Sequence, residues 1–61
     1  MEYIVDFHWD NEANVWVATS EEVPGLVLES SSLDTLKERV KMAAQELLDN
    51  PDIDIVYQIQ V

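Results

Sequence analysis

The side chains with most capacity for chemistry lie near the N-terminus, where Asp6, His8, Asp10 and Glu12 recur at every second position. In an extended segment that period lines one face with carboxylates and an imidazole, which are donors for hard cations and transition metals. Asp10 and Glu12 belong to a run of turn formers, Asp10-Asn11-Glu12-Ala13-Asn14, where the alternation stops. The expectation is therefore a solvated acidic face, with no metal and no cofactor. Asp6 and Glu29 could be imagined as carboxylates of a two-metal nuclease. A chain of 61 residues has no second helical layer to shape a cleft for one. His8, the single histidine, has no serine or carboxylate that spacing sets beside it, so a nucleophilic triad has no support. The reading is of a binding module and not an enzyme, with no catalytic residue assigned.

The elements that would position these side chains follow from periodicity. Across residues 2–9, Tyr3, Val5, Phe7 and Trp9 share one face and Glu2, Ile4, Asp6 and His8 the other, the pattern of a half-buried strand. Residues 15–20 resume after the turn cluster with β-branched and aromatic side chains, completing a hairpin. In this arm Val15, Val17 and Thr19 oppose Trp16, Ala18 and Ser20, and both sets are partly apolar, so periodicity leaves the buried face open. Val23-Pro24-Gly25 marks a tight connection, with the only glycine free to take a positive φ. A third strand is expected from residue 26 to about residue 30.

Ser31 or Ser32 can cap a helix in which Leu33, Leu36, Val40, Ala43, Ala44, Leu47 and Leu48 recur at three- and four-residue spacing. Asn50-Pro51 ends it, with Asn50 as the residue tolerant of a left-handed turn. Ile53, Ile55, Tyr57, Ile59 and Val61 then alternate with polar residues and Val56 as a last strand. The order β-β-β-α-β predicts a single α+β domain over residues 1–61: a four-stranded, mostly antiparallel sheet with one helix on one face. The connection through the helix places the last strand parallel to the first and beside it. The second face stays open, where Ile4, Val56 and one aromatic of the hairpin would form an apolar patch fit for association.

Thirteen acidic residues against three basic ones give a formal charge of -10. Lys37, Arg39 and Lys41 are the only basic side chains, too few to neutralise phosphates, so direct nucleic-acid binding is not expected and a basic partner is. A 48% apolar fraction argues for folding, while a chain this short holds a small core and gains from self-association, so a homodimer is expected. The absence of cysteine excludes a disulfide framework and fits a reducing cytoplasm. No apolar run suits a membrane span, and the N-terminus lacks the layout of a signal peptide.

Several ordered motifs carry a resemblance: Trp-Asp-x-Glu-Ala at residues 9–13, Val-Trp-Val-Ala-Thr-Ser at 15–20, Val-Pro-Gly-Leu at 23–26, Ser-Leu-Asp-Thr-Leu at 32–36, and Glu46-Leu47-Leu48 with Asn50. Together they resemble the HicB-like antitoxins, particularly their short, single-domain relatives. The resemblance implies a partial RNase H-like fold and the antitoxin half of a toxin-antitoxin pair, with a small basic mRNA-cleaving toxin as the partner. Many members of that family carry a second, DNA-binding domain that represses their own operon, and the 61 residues include no such segment. The alternative is a stand-alone homo-oligomeric regulator or scaffold without a toxin.

Four residues are the candidates for partner contact. Glu21 and Glu22, before the Pro-Gly connection, and Glu29 could meet a basic surface and steer encounter. Trp9 and Trp16 flank the hairpin, where packing against each other is the ordinary expectation. Trp16 is the better candidate anchor because its face is ambiguous. On the helix, Lys37 and Lys41 are expected to sit near Asp34 and Glu38 at i, i+3 spacing.

Overall fold

A computed structural model describes residues 2–60. Its elements are β1 (Glu2–Asp10), β2 (Val15–Thr19), β3 (Val27–Ser30), α1 (Leu33–Leu48) and β4 (Asp54–Gln60). The strands form one sheet in the order β3-β2-β1-β4, antiparallel except for the pairing of β1 with β4. This is the α+β, β-β-β-α-β layout expected from the sequence, with the last strand parallel to the first. Val61, expected to end that strand, lies outside the described residues.

The β1–β2 turn is built by Asp10, whose Oδ1 accepts from the backbone N–H groups of Glu12 and Ala13 at 3.0 and 3.2 Å, and by Asn14 at φ 57°. Those bonds close the turn locally, and Asn tolerates the left-handed conformation. In the second connection Gly25 takes φ 86°, and Leu26 N–H donates to the Val23 carbonyl. That bend drives Val23 and Leu26 inward as buried plugs, so the third strand starts one residue later than periodicity predicts.

Ser32 is the N-cap, with its hydroxyl accepting from Thr35 N–H, and Asp34 lies in the positive first turn. At the other end the left-handed residue is Asp49, at φ 50°, and not Asn50. The reason is Pro51, which pushes the residue before it toward extended backbone, so the turn falls one position earlier. Asn50 instead accepts the Asp52 N–H on its side-chain oxygen, and Gln45 Nε2 donates to the Pro51 carbonyl. These bonds tie the helix end to the start of β4.

The core is Val5, Phe7, Ala18, Val23, Leu26, Leu36, Val40, Ala44 and Ile53. Each large side chain in it contributes about 1.5–3 kcal/mol by leaving water. Leu36, Val40 and Ala44 are the fully buried line of the helix, whereas Leu47, counted in the same stripe by spacing, is half exposed beside Gly25. The helix lies mainly over β2 and β3, and it meets β4 through Lys37, whose Nζ is 5.5 Å from the Tyr57 ring centroid.

Candidate functional site

Strand register decides which side chains share the uncovered face. Phe7 pairs with Ala18 and Trp9 with Trp16, and directly opposed residues point the same way. Phe7 and Ala18 are buried beneath the helix, so Trp9 and Trp16 are on the helix side as well. Their rings meet edge to face, with centroids 5.6 Å apart. This corrects the expectation that an aromatic of the hairpin joins the open face. Both remain near the rim, where with His8 and Gln60 they line a shallow hollow of about 550 Å³. Trp16 packs against the core while Trp9 is 43% exposed, so Trp9 is the more accessible ring.

The open face carries Glu2, Ile4, Asp6 and His8 of β1, Val17 and Thr19 of β2, Val27 and Glu29 of β3, and Asp54, Val56, Gln58 and Gln60 of β4. Ile4 is directly beside Val56, and both are more than two-fifths exposed, forming the apolar centre expected there. Carboxylates surround it: Glu2 and Asp54 at one end, Asp6 next along β1, and Glu29 across the sheet. The three basic side chains all belong to the helix, so this face has none. Lys37 holds its Nζ 5.5 Å from the Tyr57 ring centroid rather than turning to Asp34. Arg39 Nη1 donates to the Glu29 carbonyl at 3.4 Å. The cations are thus drawn to the helix side and to the β3 margin.

Glu21 and Glu22 stand at the edge of this face. The β1–β2 ladder stops at Asp6 opposite Thr19, which would leave the Ile4 backbone unpaired on that side. Two side chains continue it: Ile4 N–H donates to Glu22 Oε1 at 2.7 Å, and Ser20 Oγ–H donates to the Ile4 carbonyl at 2.6 Å. Ser20 Oγ in turn accepts from the N–H groups of Glu22 and Val23. Glu22 therefore has a structural duty that leaves one carboxylate oxygen for a partner, while Glu21 is exposed on the same rim. With Ile4, Asp6 and Gln58 they outline a hollow of about 300 Å³ that carries three carboxylates.

Of the four candidate contact residues, the fold brings Glu21, Glu22 and Glu29 to the open side and sets Trp16 on the opposite one. Sequence reasoning set Asp6 on a solvated acidic face but missed Asp54 as a member of it; the parallel register of the first and last strands was the signal that would have placed Asp54 there. Among the described residues no three His, Asp or Glu side chains converge in a way that could hold a metal ion, and no helix is long and apolar enough to cross a membrane.

The geometry defines a small α+β domain with one helix-covered and one acidic open sheet face. A family model described as a domain of unknown function, DUF1902, matches residues 2–61, and the chain belongs to that family. Its fold is similar to the crystal structure of hypothetical protein TTHA1013 from the extremely thermophilic bacterium Thermus thermophilus. That likeness has a TM-score of 0.89 at 30% identity, covering 100% of this chain and 94% of the other. Among curated proteins nothing matches the chain.

Proposed function

We propose that this chain is an antitoxin-like module of the HicB type, acting in the cytoplasm, that masks a small basic mRNA-cleaving toxin against the open face of its sheet. The observation that carries the reading is the segregation of charge. Glu2, Asp6, Glu29 and Asp54 line that face around Ile4 and Val56, and every lysine and arginine is on the helix. A basic RNA-binding surface would find there both the opposite sign and an apolar centre to exclude water. The resemblance of the Trp-Asp-x-Glu-Ala and Val-Pro-Gly-Leu motifs, and the β-β-β-α-β order with its first and last strands parallel, support the same reading.

The test is recovery of the tagged protein from its host at low salt, followed by an RNA-cleavage assay on any small basic protein that accompanies it. The reading predicts a ribonuclease that is silent in the complex, active when freed, and silenced again by adding this chain back. Glu29→Lys should weaken that inhibition. Recovery of no basic protein, or of one whose cleavage of RNA the chain leaves untouched, would refute it. A second reading, a stand-alone homo-oligomeric regulator, is favoured by one observation, the uncharged run over residues 55–60 of the outer strand β4.

A further inference from the structure

We infer that β4 is a self-association edge, and that its occupant is β4 of a second copy, paired antiparallel about Tyr57 to give one continuous eight-stranded sheet. The two margins of the sheet differ. β3 is only four residues long, carries Glu29, and has Arg39 donating to its backbone from the helix, which are ordinary ways of protecting an edge. β4 is seven residues long and contains no Pro or Lys. Its outer backbone is open to a further strand, and residues 55–60, Ile-Val-Tyr-Gln-Ile-Gln, carry no charge at all.

That last point selects the occupant. In a chain of net charge -10 nearly every surface repels another copy, and the uncharged run of β4 over residues 55–60 is where two copies can approach. A basic partner would gain nothing from it, because the carboxylates that attract one are on the open face. Self-pairing over the whole element centres on Tyr57 and sets Ile55 opposite the second copy's Ile59 on the helix side. On the open side Val56 meets Gln58, and Asp54 meets Gln60 instead of another Asp54. Tyr57 and Ile59, 38% and 39% exposed, would be covered further. This register puts both helices on one side and both acidic faces on the other. The inference does not depend on the identity of the masked partner.

Sedimentation of the wild-type protein over a concentration series should show a species of twice 7.0 kDa dissociating on dilution. Tyr57→Cys should lock that species as a disulfide in a chain with no other cysteine, while Val27→Cys on the far margin should not. The pair Val56→Lys and Gln58→Lys sets four ammonium groups across the junction and should weaken association by at least about tenfold. Both positions are exposed, so the fold is expected to persist in that variant. It also makes each chain less acidic, which would tighten a dimer formed anywhere else. A monomer at every concentration, a dimer that folded Tyr57→Cys fails to lock, or a lysine pair that leaves association unchanged or tighter would overturn the inference.

Discussion

Glu22 shows how one carboxylate can be read correctly as exposed and acidic while its main task goes unseen. Its Oε1 substitutes for a backbone carbonyl at the point where β2 turns away from β1. Removing the acceptor strands an N–H that the ladder cannot satisfy. Glu22→Ala should lower the unfolding free energy by about 1 kcal/mol, whereas Glu21→Ala, with no such bond, should change it by less than about 0.5 kcal/mol. Urea denaturation of the two variants side by side checks the difference, and Glu22→Gln, which keeps an oxygen acceptor, should recover most of the loss. Nothing in spacing marks Glu22 apart from Glu21, because the bond joins residues eighteen apart in the chain. Such partners become visible only when the strand register is known.

Element boundaries were legible to the degree that local chemistry sets them. The helix was readable from its stripe and its serine cap, and the first and last strands from their alternation. The second strand was not, since Trp16 and Val17 are both able to face a core and the choice is made by opposition to Trp9 and His8. The helix end was misplaced by one residue because Asp49 and Asn50 are both tolerant of a left-handed turn, and Pro51 breaks the tie. Asp49 also places a negative charge at the negative end of the helix, where the last turn holds no basic residue. Asp49→Gly removes both penalties and should raise stability by about 0.5–1 kcal/mol. Thermal unfolding monitored by circular dichroism would show this as a higher midpoint, and a lower one would contradict the cap assignment.

At the scale of the whole molecule, net charge and its placement act together. Carboxylates cluster on one face with no cation among them, so the folded state holds like charges closer together than the unfolded chain does. Added sodium chloride should therefore raise the melting temperature as it screens that repulsion, with most of the rise reached by about 0.15 M, where the screening length falls to about 8 Å. A midpoint that stays flat or falls with salt would mean that the face is less crowded than its ladder implies. Composition alone gives the sign of the chain's charge, but the segregation of that charge needed the fold, which carries all three cations away on one helix.

The parallel contact between β1 and β4 has a consequence for the order in which the protein comes into being. The first strand lies in the middle of the sheet, yet its second neighbour is encoded some fifty residues later, from Glu2 beside Asp54 to His8 beside Gln60. A nascent chain can close the hairpin early, because that contact is local. It must then carry one bare side of its central strand until nearly everything else has been synthesised. During that interval the exposed edge is a template for any extended segment nearby. The pairing of β4 with β1 is thus the last part of the sheet that the chain can complete, after the helix already has β2 and β3 to pack upon.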